Sequence, residues 1–163
     1  MKYQAGQSLI EVLIAFAVTV VIGVGLISAS LVTQRAATSA RNNAQATKLA
    51  QQYVEQIRII RDVRGYNYIN TFNPACYRIE TYGNLDPSAW TFQLVTVTNA
   101  CSASLDNGEV VNIPEFKATF YRDFDLSADS LGKRTVTVTV SWFEGVNTRL
   151  VELESTISNW PTN

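Results

Sequence analysis

The sequence predicts an α+β fold: a long N-terminal α-helix, a transmembrane half followed by an amphipathic half, packed on an antiparallel β-sheet head. Three observations predict it. From Val12 to Gln34 no residue is charged, a run longer than the roughly 20 residues that cross a hydrocarbon core of about 30 Å as a helix. From there to Gly65 no helix breaker occurs, and at about 100° per residue Ala46, Leu49, Ala50, Tyr53, Ile57 and Ile60 fall on one stripe. Beyond Gly65 the chain turns to loop residues and segments that alternate apolar with polar at period two.

Taken in order, residues 7 to 65 form one helix of about 60 residues, roughly 90 Å long. Gly23 and Gly25 each weaken it by about 1 kcal/mol relative to Ala, and small residues there also admit the close approach of another helix. Glu55 with Arg58, and Arg58 with Asp62, are spaced to pair along the exposed side. Ile59 and Val63 lie opposite the core stripe, either as isolated exposed residues or as a face that meets another subunit. Gly65 is placed to close the helix. The stretch YNYINTFNPACYRIETYGNLDPSAW reads as a loop with one short strand at Cys76 to Tyr82, punctuated by Asn-Pro and Asp-Pro. TFQLVTVTN, EFKATFYRDF, RTVTVTVSWFEG and NTRLVELESTIS read as strands. In the third, Val136, Val138, Val140 and Trp142 share a core face while Thr135, Thr137, Thr139 and Ser141 share a wet one. The short connection from Glu144 to Asn147 makes the last two strands a hairpin. The sheet's apolar face is expected on the helix stripe.

Composition narrows the function. With 163 residues the chain has room for the helix and one modest head. A net charge of -1 with 17% charged residues gives no field that would gather nucleic acid or an acidic substrate. The chain has no histidine, which removes Ser-His-Asp and Cys-His catalysis and His-based metal sites. No catalytic constellation emerges from what remains, so no enzyme activity and no cofactor are expected. Cys76 and Cys101 both follow the apolar run and lie on one side of any membrane it crosses. They can pair, closing a loop that the chain-entropy model values at roughly 3 kcal/mol; the alternative is two free buried thiols.

Two readings of the apolar run compete. One is a transmembrane helix. The other is a secretory signal peptide with Lys2 as its basic region and Ser28, Ala29 and Ser30 as the cleavage site, against which stand the length of the run and the charge of Glu11 within it. A carboxylate at mid-bilayer costs roughly 2.5 to 3.5 kcal/mol on insertion scales, less near the ends. Glu11 therefore calls for a partner, or else sits at the interface, favoured by the dipole at the helix start.

Gly6 followed by Gln7, Ser8, Leu9, Ile10, Glu11, Val12 and Leu13 resembles the processing motif of type IV prepilins and type II secretion pseudopilins. The resemblance covers the leader and membrane helix, and by architecture alone the rest. It implies a leader of residues 1–6, cut between Gly6 and Gln7 by a prepilin peptidase that methylates the new amine. It further implies a transmembrane and assembly helix over 7–34, the helix half of the head over 35–65 and a pilin-like β-rich head over 66–163. Glu11 becomes the assembly residue, pairing with the amine at Gln7 of a neighbouring subunit. Partners implied are other pilin or pseudopilin subunits, the prepilin peptidase and an inner-membrane assembly platform, while nucleic acid is not expected. The protein would be a single-pass membrane protein with its head outside the cytoplasm, then part of an extracellular or cell-envelope filament. Gln7 stands where family members most often have Phe or Met, and the helix lacks the proline common in major pilins, which favours a minor pilin or pseudopilin. Arg35, Arg41 and Lys48 after the apolar run oppose the positive-inside bias, but the motif is the more specific signal. The rival reading is an adhesin-like module that stays anchored and does not polymerise.

Other groupings carry less. Asp123, Asp125, Ser127 and Asp129 resemble the first half of a calcium loop, but Ala128 replaces the turn glycine and Arg134 the bidentate Glu, so the stretch reads as a solvated loop and no metal is expected. LDNGE, residues 105 to 109, reads as an Asn-Gly turn. Tyr66, Tyr68, Phe72 and Trp90 offer stacking surfaces, and their ordinary use is packing.

Overall fold

In the computed structural model a long α-helix, α1 (Ala5–Arg64), is followed, among the described residues, by α2 (Tyr66–Asn70) and six strands. The strands are β1 (Ala75–Glu80), β2 (Thr91–Leu94), β3 (Glu109–Ile113), β4 (Ala118–Ala128), β5 (Arg134–Glu144) and β6 (Asn147–Ile157). The structure describes residues 5–81, 83–95, 101, 108–114, 118–128 and 133–159. The end of TFQLVTVTN, the Asn107 half of the expected Asn-Gly turn, Asp129 and Lys2 lie outside them. The chain divides into two compact units, Met1–Arg41 and Asn42–Asn163.

In the first unit α1 is helical throughout, and it passes Gly23 and Gly25 without a break. Hydroxyls within it bond back to the helix: Thr19 Oγ1 donates to the Ala15 carbonyl at 2.8 Å and Thr33 Oγ1 to that of Ala29 at 2.9 Å. Each such bond removes an unsatisfied donor from an otherwise apolar surface.

In the second unit the end of α1 lies on the sheet as its periodicity requires. Ala46, Leu49, Ala50, Tyr53, Ile57 and Ile60 are buried, Val54 joins them, and Ile59 and Val63 stay exposed. Gly65, at φ 82°, ends the helix by donating its N–H to the Arg61 carbonyl at 2.7 Å, a positive-φ conformation that glycine adopts without a Cβ penalty. Glu55 pairs with Arg58 at 2.5 Å as its spacing predicts, whereas Asp62 accepts from Arg61, and Arg58 reaches Ser155 Oγ on β6 at 3.1 Å. The tertiary contact to β6 is available to Arg58 only once the sheet is in place, so helix spacing alone misses it.

All pairings are antiparallel in the order β2-β1-β4-β5-β6, and one edge of β4 is shared: Phe124–Leu126 pair with β1, Ala118–Arg122 with β3. Pleating sends Phe120, Arg122, Phe124 and Leu126 of β4 and Val136, Val138, Val140 and Trp142 of β5 to the helix side, where all are buried. The β5–β6 hairpin turns at Gly145 and Val146, with Gly145 at φ 66°. Three elements differ from expectation. The loop after Gly65 folds into α2 and a 3-10 turn over Pro87–Ala89, EVVNI forms β3, and the stretch read as a solvated loop after Phe124 is strand to Ala128. The aromatic cluster is packing: Phe72 meets Phe92 at 5.0 Å and Tyr68 at 5.2 Å, and Trp90 Nε1 donates to the Asn84 carbonyl at 2.7 Å.

Tyr53 joins these parts. Its hydroxyl accepts the Ile79 N–H of β1 at 2.7 Å, its ring lies 4.3 Å under the Arg122 guanidinium of β4, and its edge meets Phe124 at 5.9 Å. Arg122 in turn forms a two-bond pair with Glu109 of β3, both at 2.8 Å. Burial first, then the Glu109 carboxylate, push the Tyr53 phenol well above its ordinary pKa, so it stays neutral. Tyr53→Phe should cost about 1 to 3 kcal/mol, because the buried Ile79 N–H loses its acceptor. Denaturant unfolding of the full chain in detergent measures this, and a loss below about 0.5 kcal/mol would show that another acceptor takes over.

Candidate functional site

The first site is the start of α1. Gly6 and Gln7 lie in its first turns and Glu11 one turn beyond Gln7, so residues 7 and 11 occupy neighbouring positions on one side of the helix. Glu11 is exposed among Leu9, Ile10, Val12, Leu13 and Ile14. From Leu9 to Val32 the large apolar side chains are 47% to 71% exposed. This helix is long and apolar enough to cross a membrane. Its surface is one that water would penalise by about 1.5 to 3 kcal/mol for each large side chain left outside an apolar environment. A Cβ added at Gly23 or Gly25 would meet nothing within 4 Å, so packing within the chain does not require glycine at either place.

The second site lies on the sheet face opposite the helix. Cys76 of β1 and Cys101 form a disulfide with Cα atoms 5.4 Å apart. Register places Cys76 beside Asp125 of β4, Asp125 beside Thr137 of β5, and Thr139 between Asp123 of β4 and Glu152 of β6. A cavity of about 360 Å³ opens among Cys76, Cys101, Asp125, Thr137, Thr139 and Glu152. Cys101 Sγ is 3.3 Å from Asp125 Oδ1, and partial burial raises the Asp125 pKa above the usual carboxylate range. Asp123, Thr139 and Ser141 on the same face are buried.

Neither grouping of potential ligands suits a metal. The donor atoms of Cys76, Cys101 and Asp125 lie within 4.8 Å of one another, but disulfide sulfurs carry no thiolate charge and are poor ligands. Asp123, Asp125 and Ser127 stand at alternate positions of an extended strand, about 6 to 7 Å apart in sequence steps of two, where a calcium loop would fold its ligands inward.

Sequence reading anticipated the two cysteines but not the contact of Asp125 with them or the role of Glu152 in lining the cavity. The available signal was parity: Asp125 alternates with Phe124 and Leu126, which places it on the face away from the core.

Residues 1–27 match the family model described as prokaryotic N-terminal methylation motif, which supports a type IV prepilin-like family. No curated protein and no solved structure matches the chain.

The raised pKa of Asp125 fixes a direction for stability. An acid whose folded pKa lies above its unfolded value of 3.8 destabilises the folded state wherever it is ionised, and the penalty is relieved as pH falls through the folded value toward 3.8. Asp125→Asn should therefore raise the melting temperature at pH 7, with the advantage shrinking as the pH is lowered to about 4. Thermal melts of both proteins across that range measure it, and a variant that melts lower at pH 7 would show that the ionised carboxylate has a stabilising partner.

Proposed function

We propose that this chain, which carries at residues 1–27 the N-terminal methylation motif of type IV prepilin-like proteins, is a structural subunit of a type IV pilus-like or type II secretion-like filament. It acts as a minor pilin or pseudopilin. The observation that carries the proposal is the coincidence of that motif with a helix whose apolar surface the described residues leave uncovered from Leu9 to Val32. Such a surface has two suitable surroundings, lipid before assembly and the same surface of neighbouring subunits after it. Gly23 and Gly25, which the chain itself does not need to be small, then allow neighbouring helices to approach closely.

The mechanism follows from one charge. Cutting between Gly6 and Gln7 creates an ammonium at Gln7, and Glu11 is the carboxylate at similar depth. In a growing filament the Glu11 of the last subunit attracts the amine of the next one, because either charge left alone among apolar side chains is costly. The pair thus sets axial register more than it adds net stability. The proposed partners are pilin or pseudopilin subunits, a prepilin peptidase and an inner-membrane assembly platform. No catalytic role is proposed, in keeping with the structural character of proteins that bear this motif.

Two measurements test the reading. N-terminal sequencing and intact mass of protein from native cells should show a chain beginning at Gln7 with an N-methylated amine, while one beginning near Leu31 would identify an ordinary signal peptide. Glu11→Gln keeps size and hydrogen bonding and removes the charge, so folding, insertion and cleavage should survive while the fraction of subunit in sheared filaments falls at least tenfold, the effect of about 1.4 kcal/mol or more. Incorporation equal to wild type, with normal cleavage, would refute the paired-charge mechanism for internal subunits and leave only a position at the filament tip, where no subunit lies ahead.

A further inference from the structure

The disulfide is the one covalent tie among the described residues, and its chemical surroundings are specific. Cys76 is 6% exposed and Cys101 is half-buried, and both line the cavity with Asp125 and Glu152. Two carboxylates and two threonine hydroxyls complete the lining, and among the described residues no cationic side chain is part of it. Arg78, two residues along β1 from Cys76 and so on the same face, is engaged by Gln93 Oε1 at 2.6 and 2.8 Å and by Glu80 at 3.6 Å. An incoming reagent therefore meets the sulfurs across carboxylate oxygens.

We propose that Asp125, with Glu152 at the rim, is an electrostatic gate on thiol–disulfide exchange at Cys76–Cys101, closing the bridge to anionic thiols and leaving it open to cationic ones. Exchange begins when a thiolate attacks one sulfur in line with the S–S bond. A new S–S bond forms to the reagent, the protein's own S–S bond breaks, and the electron pair leaves on the other cysteine, which takes a proton from water. A second thiolate then attacks the mixed disulfide, releasing the oxidised reagent and leaving two protein thiols. Both choices of first target are hindered by the same carboxylate. Attack on Cys101, the less buried of the two residues, brings a negative reagent past Asp125 Oδ1, which lies 3.3 Å from the target atom. Attack on Cys76 makes Cys101 the leaving group, so negative charge develops at that same 3.3 Å separation. A poor leaving group slows exchange as surely as a repelled nucleophile. The first effect depends on the charge of the reagent, and the second does not. The gate also specifies the redox partner that can act here: a thiol carried on a positive surface.

The experiment uses the full chain in detergent micelles of a nonionic type at low ionic strength, with the bridge intact. Cysteamine and 2-mercaptoethanesulfonate serve as cationic and anionic thiols of comparable size. Reduction is followed by acid quench, alkylation and mass, and each rate is divided by the thiolate concentration of its reagent. The rate ratio is referenced to an unstructured peptide that holds one disulfide and no charged side chains. We expect wild type to favour cysteamine over the anionic thiol about tenfold more than the peptide does, as one or two charges at close range require. Added salt at about 0.5 M should reduce this preference. Asp125→Asn should bring the ratio most of the way to the peptide's and raise the rate with both reagents, and Glu152→Gln should bring it part of the way at little change in the cysteamine rate. A wild-type ratio equal to the peptide's, or one that Asp125→Asn leaves unchanged, overturns the proposal. So does a rate independent of thiol concentration, since reduction would then pass through prior unfolding rather than through the cavity.

Discussion

One helix has to satisfy two different surroundings, and this constraint organises the chain. From Leu9 to Val32 α1 is apolar over most of its surface, with large side chains about half to two-thirds exposed, so no element among the described residues covers it. Over the second unit its main apolar stripe is buried, while Ile59 and Val63 on the other side stay exposed. The two halves share a continuous backbone ladder, but their stabilities have different sources. The second draws on packing against the sheet, as most protein helices do. The first has to draw on an apolar environment from outside the chain, and its threonines, bonded to their own backbone at Ala15 and Ala29, suit it to one.

On the head side, the helix is held by polar contacts inside an apolar interface. Tyr53 and Arg122 are both buried, and each would be a liability alone. Together with Glu109 and the Ile79 N–H they form one connected set that links α1, β1, β3 and β4. Burying a guanidinium costs several kcal/mol and its two-bond pairing offsets much of that, so the set contributes more to a unique docking of helix on sheet than to net stability. An all-apolar interface would tolerate a slide of the helix by one turn. This one would leave a buried charge unpaired if the helix moved.

Periodicity explains how much of this was legible. The helix stripe, the β5 faces and the β5–β6 hairpin follow from 3.6- and 2-residue repeats sustained over ten or more residues, and the positive-φ position of Gly65 follows from the residue type. β3 escaped because EVVNI is five residues long and has too few alternations to stand apart from its loop. The strand from Asp125 to Ala128 is hidden in the sequence because its polar residues suit a solvated loop, and only pairing with both β1 and β5 shows that its polar side is partly covered. At the N-terminus, Gly6, Gln7 and Glu11 were legible as a local motif, for which tertiary structure is not needed. The surroundings of the disulfide were not, because the contact of Asp125 with Cys101 joins residues that are 24 apart in sequence and depends on strand register.

The sheet therefore has two sides with different chemistry, and their separation has a consequence for where change is tolerated. The helix side is a packed apolar layer in which a volume change of one methylene is felt. The opposite side carries threonines, carboxylates and the disulfide. Its strands are already registered by the helix-side packing, since a one-residue slip would turn the buried valines of β5 to the wrong face. The bridge is thus not needed to choose the register of β1 on β4. What it adds is a covalent tie between β1 and Cys101, beyond β2, which among the described residues pairs in the sheet with β1 alone. Reduction would remove that tie while leaving β4, β5 and β6 paired and Phe92 of β2 packed against Phe72 and Phe124, so the bridge bears on the edge of the sheet and not on the helix packed against it.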